Sequence, residues 1–131
     1  MEYNKFKSVL LVDDSYVDNL INSKMLEASK FADTVTVMDS PSKAIAYIKE
    51  SAKDGNLPEV LFLDIRMPEM DGFEFLETLN SIPEMHTAHV KIYMLSSSLD
   101  PDDIKLIGNN LLVAKFISKP LTEKILNSIE K

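Results

Sequence analysis

The sequence predicts an α/β domain in which a parallel sheet carries helices on both faces. Three observations lead to this fold class. Short apolar runs of strand length alternate with longer segments of helical, amphipathic periodicity. Runs such as "LFL" and "YML" are apolar at every position, which is typical of strands buried on both faces of a parallel sheet. Strands joined through helices give right-handed crossovers and a layered α/β architecture.

Five strand–helix units follow one another along the chain. The predicted strands are residues 8–12, 34–38, 59–64, 90–95 and 112–117. The first helix is predicted from a stripe of apolar residues at helical spacing, namely Val17, Leu20, Ile21, Met25 and Ala28.

The second helix has the clearest start signal. In "DSPSKAIAYIKESAK", Ser40 is the predicted N-cap and Pro41 occupies the first helical position, where a missing N–H costs nothing. The inward stripe of this helix is predicted to be Ala44, Ile45, Ile48 and Ala52.

The remaining helices are bounded by proline and by capping residues. The third, "DGFEFLETLNSI", ends before Pro83, and the short fourth, "DPDDIKLIG", has Asp100 as cap and Pro101 at its first position. The closing helix, "LTEKILNSIEK", is expected to turn Ile125, Leu126 and Ile129 inward.

Length and composition narrow the possible functions. A chain of 131 residues without internal repeat or linker is expected to form one domain over residues 1–131. The absence of cysteine removes disulfides, thiolate metal sites and cysteine nucleophiles, and fits a cytoplasmic location. There is no signal-peptide pattern, and no apolar run approaches the roughly 20 residues that span a bilayer. A net charge of −7 argues against direct binding of a nucleic-acid backbone.

Polar side chains collect where the predicted strands end. In an open parallel sheet, ligands bind beyond these carboxyl ends. The residues there are Asp13 and Asp14 after strand one, Asp64 after strand three, Ser96 after strand four, and Ser118, Lys119 and Pro120 after strand five. Asp39, after strand two, is better explained as part of a helix-entry turn.

The chemistry of this set points to a divalent cation and a phosphoryl group. Neighbouring carboxylates repel by about 4 kcal/mol per pair at 4 Å and an effective dielectric near 20. Mg²⁺, which prefers oxygen ligands and keeps open water positions, removes that conflict. Asp64 is the best candidate nucleophile for an aspartyl-phosphate, with Asp13 and Asp14 as metal-holding acids and the carbonyl of Arg66 as a further oxygen. Lys119 and the metal would neutralise phosphoryl charge.

Four segments in fixed order make the chain resemble the receiver domain of two-component response regulators: "LLVDDS", "LFLDIRMPEMDGFEFL", "YMLSSS" and "FISKPL". The resemblance covers essentially the whole chain. It implies sheet order 2-1-3-4-5, Asp64 as phosphoacceptor, and Mg²⁺ held by Asp13, Asp14, Asp64 and the Arg66 carbonyl. It also implies that Lys119 contacts the phosphoryl group and that the peptide bond between Lys119 and Pro120 is cis.

The resemblance further implies how such a domain signals. Ser96 stands at the position of the switch hydroxyl, where threonine is commoner, and Phe116 stands at that of the switch aromatic. The expected partners are a sensor histidine kinase or a histidine phosphotransfer protein, and a downstream protein target. Phosphorylation would change the surface of helix four, strand five and helix five, and the domain would catalyse at most its own phosphorylation and dephosphorylation.

Plainer interpretations remain for single residues. Asp13 and Asp14 could be an N-cap pair, Lys119 a loop lysine, and Phe116 an ordinary core residue. His86 and His89 are expected at the surface.

Two other functions remain as alternatives: a docking module that never takes phosphate, and an Mg²⁺-dependent phosphohydrolase. A serine hydrolase at Ser96 is rejected, because no G-x-S-x-G motif is present.

Overall fold

The computed structural model describes residues 5–97, 101–107 and 112–129 as a five-stranded parallel sheet with flanking helices. The strands are β1 (Phe6–Val12), β2 (Ala32–Met38), β3 (Val60–Asp64), β4 (Lys91–Ser96) and β5 (Val113–Ser118). The helices are α1 (Tyr16–Ala28), α2 (Pro41–Lys53), α3 (Gly72–Asn80), α4 (Pro101–Ile107) and α5 (Glu123–Ser128), with a 3₁₀ turn at Pro83–His86. The order β2-β1-β3-β4-β5 with parallel neighbours confirms the predicted fold class.

Each central strand buries successive residues on opposite faces of the sheet. In β3, Leu61 and Leu63 join a core cluster with α2 and α3, whereas Val60 and Phe62 join a second cluster with α1 and α5. Because both faces are covered, the strand has no solvent side, and all five of its residues are buried. This explains why β3 is apolar at every position before Asp64.

Helix α2 forms as its sequence predicts. The Ser40 side chain accepts a hydrogen bond from the Lys43 N–H, and Pro41 occupies the first turn. The predicted inward stripe is buried at all four positions, Ala44, Ile45, Ile48 and Ala52.

Most of the predicted apolar stripe of α1 does not face the sheet. Val17, Leu20 and Ile21 are 59%, 43% and 46% exposed and Ala28 is exposed too, whereas Met25 is half-buried against the second core cluster. The buried residues of this helix are Asn19, Asn22 and Leu26. The predicted stripe is therefore wrong at four of its five positions. The reason lies at the site described below, because the inward face of α1 supplies hydrogen bonds there.

The other elements differ from their predictions mainly at the ends. Helix α3 starts at Gly72, with Asp71 as its N-cap, and α5 is shorter than predicted, with Thr122 as its N-cap. In and just after α5, Leu126 and Ile129 are buried as expected and Ile125 is half-buried. The predicted cap Asp100 lies outside the described residues. Within the described ranges, the helices are too short or too polar to cross a membrane.

Candidate functional site

The strand register brings two of the predicted acids side by side. Val12 of β1 is level with Leu63 of β3, so the next residues, Asp13 and Asp64, leave the sheet at the same edge. Asp64 is the last residue of β3, and Asp13 directly follows β1. The sheet itself thus places both carboxylates beyond its carboxyl edge, as predicted for parallel strands.

The same edge receives the polar residues of β4 and β5. Asp64 is level with Leu95 of β4, and Ser96 is level with Ser118 of β5. The backbone N–H of Lys119 donates to the Ser96 carbonyl at 2.8 Å, which extends the ladder one residue past the strand. Ser96 and Lys119 therefore lie at the same rim as the acids.

Asp13, Asp14 and Asp64 form a cluster that could hold a metal ion. One carboxylate oxygen from each lies within 4.8 Å of the others. Asp13 and Asp64 are buried and Asp14 is exposed, so the cluster has one open side. Three carboxylate oxygens with room for water fit a hard cation such as Mg²⁺.

The two adjacent aspartates do not cap α1. That role belongs to Ser15, whose side chain accepts a hydrogen bond from the Asp18 N–H at 3.2 Å. Asp13 Oδ1 instead accepts from the Ser15 N–H at 2.9 Å, which fixes its carboxylate toward the rim. The interpretation of Asp13 and Asp14 as an N-cap pair is therefore wrong.

Lys119 is held among three carboxylates. Its Nζ lies 2.7 Å from Asp18 Oδ2, 2.9 Å from Asp13 Oδ2 and 3.3 Å from Asp64 Oδ1, and its side chain is only 10% exposed. The bond to Pro120 is cis, as the resemblance implied. The interpretation as a solvent-exposed loop lysine is wrong.

The electrostatics of the rim favour a nucleophilic carboxylate beside a fixed cation. Burial and the charge of Asp13 raise the pKa of Asp64 from 3.8 to about 6, against the opposing influence of Lys119. Burial lowers the pKa of Lys119, but hydrogen bonds to Asp18 and Asp13 outweigh it and raise that pKa above its usual range. At neutral pH Asp64 is therefore mostly ionised and Lys119 is charged.

Sequence reasoning missed three polar residues of α1 that serve this site. Asp18 pairs with Lys119, the Asn19 side chain donates to the Asp13 carbonyl at 2.7 Å, and Asn22 Oδ1 accepts from the Leu121 N–H at 2.9 Å. Asp18 and Asn22 are one helical turn apart, so a polar stripe starting at the acid pair was the available signal.

The remaining predicted residues occupy different surroundings. Ser96 is buried at the end of β4, Phe116 is half-buried against the α2–α3 core cluster, and Arg66 is exposed two residues after Asp64. His86 and His89 are exposed, as expected.

Comparison with known proteins identifies the class of this fold and site. A family model described as the response regulator receiver domain matches residues 9–130. Among curated proteins, the two-component response regulator ORR1 of Oryza sativa subsp. indica is 33% identical over 127 residues, covering 94% of this chain and 53% of the rice protein. The chain thus spans about half the length of this relative.

Solved structures agree. A two-component response regulator from Cytophaga hutchinsonii superposes with a TM-score of 0.87 at 30% identity, covering 95% of this chain and 93% of that one. The receiver domain of the histidine kinase CKI1 from Arabidopsis thaliana, complexed with Mg²⁺ and BeF₃⁻, shares the fold, with a TM-score of 0.70 at 20% identity and coverage of 91% and 82%.

The chain belongs to the receiver domain family of two-component response regulators. The family role is that of a phosphoaccepting signalling switch. The sequence motifs and the observed sheet order both agree with membership of this family.

Proposed function

We propose that Asp64 is the phosphoacceptor and that Asp13, Asp14 and the Arg66 carbonyl help it to hold Mg²⁺. The observation that carries the proposal is the meeting of a buried, mostly ionised carboxylate with two further acids and the Lys119 ammonium. The Mg²⁺-complexed receiver domain of CKI1, which has the same fold, supports the choice of metal.

In the proposed reaction, Asp64 attacks the phosphorus of a phosphohistidine in line with the breaking P–N bond. The bound metal would supply neutralisation of phosphoryl charge. Lys119 would add a hydrogen-bonded positive charge to another phosphoryl oxygen, since its Nζ is already 3.3 Å from Asp64 Oδ1. The donor histidine leaves with the bonding electron pair and takes up a proton, and Asp64 keeps an acyl phosphate.

The proposed switch runs through Ser96 and Phe116. The new phosphoryl oxygens would draw the Ser96 hydroxyl toward Asp64, because the phosphoryl group adds strong acceptors at that rim. Phe116, only half-buried in this structure, would turn inward into the vacated space. Repacking of α4, β5 and α5 would then present the signal to a downstream protein.

Labelling with a small phosphodonor in the presence of Mg²⁺ tests the acceptor. The wild-type chain and Asp39→Asn should take up label, and Asp64→Asn should take up none. Asp39 is a matched control, because it is an exposed aspartate after the neighbouring strand β2, outside the acid cluster. Equal labelling of Asp64→Asn would remove Asp64 as acceptor, and an unlabelled wild type would favour the docking-only alternative.

The α1 apolar patch, made of Tyr16, Val17, Leu20 and Ile21, supports a protein as the phosphodonor. These side chains are 43% to 77% exposed and begin two residues after Asp14. An exposed apolar patch marks an interaction surface, and a donor that reaches Asp64 over the rim would cover this one. We therefore propose that the phosphohistidine protein docks here.

A substitution in the patch separates docking from chemistry. Ile21→Asp should slow transfer from a phosphorylated histidine protein at least tenfold, because a charge at an apolar contact must be desolvated. Labelling by a small phosphodonor should be unchanged. Equal rates with the protein donor would place the docking surface elsewhere.

A further inference from the structure

The Lys119 ammonium uses one carboxylate that is not part of the acid cluster. Asp18 Oδ2, at 2.7 Å, is its shortest contact, ahead of Asp13 at 2.9 Å and Asp64 at 3.3 Å. Asp13 and Asp64 belong to the candidate metal cluster with Asp14, and Asp18 does not. The ammonium thus has two partners that a cation would share and one that it would not.

This arrangement reduces the electrostatic competition between Lys119 and a bound cation in the proposed site. A divalent cation bound to Asp13 and Asp64 competes with Lys119 for both carboxylates and repels its charge, and burial strengthens both effects. Lys119 is only 10% exposed, so water can replace those partners only in small part. Asp18 gives the ammonium a carboxylate of its own while the cluster is occupied.

Helix α1 holds Asp18 in place. Its backbone N–H is bonded to the capping Ser15, so the residue is fixed in the first turn. One turn later, the buried Asn22 accepts the N–H of Leu121, two residues beyond Lys119. The helix therefore binds both ends of the segment 119–121, through Asp18 at Lys119 and through Asn22 at Leu121. These two bonds hold the Lys119 backbone in position relative to Asp18.

We propose that Asp18 is a positioning residue that keeps Lys119 from competing with the cation for Asp13 and Asp64. The inference rests on the proposed function, because it assumes that the acid cluster binds Mg²⁺. Its consequence is that Asp18, outside the predicted ligand set, is needed for full Mg²⁺ affinity.

Titration of amide spectra with Mg²⁺ tests this in a double-mutant cycle. The variants are Asp18→Asn, Lys119→Met and the pair together, with Asp18→Glu as the conservative variant and Glu27→Gln as control. Glu27 is an exposed acid further along α1, and its substitution changes the net charge by the same amount.

We expect Asp18→Asn to weaken Mg²⁺ binding about fivefold when Lys119 is present, and much less when it is methionine. Asp18→Glu should keep most of the affinity, and Glu27→Gln should change it little. Amide spectra without the ion check that each variant is folded. An equal or larger loss in the Lys119→Met background would overturn the proposal, because the effect would then be a simple loss of negative charge near the ion.

No loss with Asp18→Asn would also overturn it, while leaving the phosphoacceptor role of Asp64 intact. A wild-type chain that binds no Mg²⁺ would instead contradict the proposed function, and this inference with it.

Discussion

Replacing Asp64 by asparagine should make the metal-free protein more stable at neutral pH. Burial and Asp13 raise the pKa of Asp64 from 3.8 to about 6, so its ionised form is disfavoured in the folded state. A difference of about 2 pKa units corresponds to a cost of about 3 kcal/mol at pH 7. That pKa already includes the attraction to Lys119 at 3.3 Å, so asparagine removes the whole net cost of ionisation. We expect a gain of about 3 kcal/mol in the free energy of unfolding.

The pH dependence distinguishes this cause from a packing effect. The folded state binds the proton more tightly than the unfolded state, so the cost is absent below about pH 4 and nearly complete above about pH 6. Urea unfolding with a chelator, for the wild type, Asp64→Asn and the control Asp39→Asn, measures the gain at both ends. The advantage of Asp64→Asn should shrink to well under half at about pH 4. A gain independent of pH, or no gain at neutral pH, would refute the reasoning.

Three further substitutions test how the site is held, each by urea unfolding. Asn22→Leu should cost about 1–3 kcal/mol, because the buried N–H of Leu121 loses its acceptor; an unchanged midpoint would mean that this bond is dispensable. Asp71→Ala removes the N-cap of α3 and should cost about 1 kcal/mol, whereas a cost below a few tenths would show that the cap is redundant. Gly72→Ala should cost about 1–2 kcal/mol, since the added Cβ would lie 3.0 Å from Ile65 Cα and 3.2 Å from the Asp64 carbonyl oxygen, backbone atoms that cannot turn aside as Met94 Cε can. A stabilised Gly72→Ala variant would show that the backbone around Gly72 shifts without cost.

The fold and the acid cluster could be predicted because each depends on local sequence patterns, and these patterns all indicate the same parallel sheet. A strand buried on both faces must be apolar throughout, so the polar residue that ends it stands out, as Asp64 does after β3. The parallel arrangement then brings such strand ends to one edge of the sheet without any knowledge of side-chain contacts. The start of α2 could be predicted for the same reason, because the signals for it, the N-cap Ser40 and Pro41 in the first turn, are part of the helix start itself.

The inward face of α1 could not be read in the same way. Amphipathic spacing shows which residues share a face, but assigning the apolar face to the core assumes that burial decides the orientation. Here the inward face carries polar residues beside the buried Leu26, because Asp18, Asn19 and Asn22 bond to Lys119, Asp13 and Leu121. The polar stripe of Asp18 and Asn22 is visible in the sequence, but their partners lie 101 and 99 positions away, so the local pattern does not show what the stripe contacts. Departures of this kind are expected where function overrides local rules.

A crystal structure of the chain with Mg²⁺ and beryllofluoride would test the central claim most directly. The account predicts beryllium on the Asp64 carboxylate, and Mg²⁺ in reach of Asp13, Asp14 and the Arg66 carbonyl. Lys119 should contact a fluoride and keep its bond to Asp18. Beryllofluoride on a different side chain, or a metal ion bound away from the three aspartates, would contradict it.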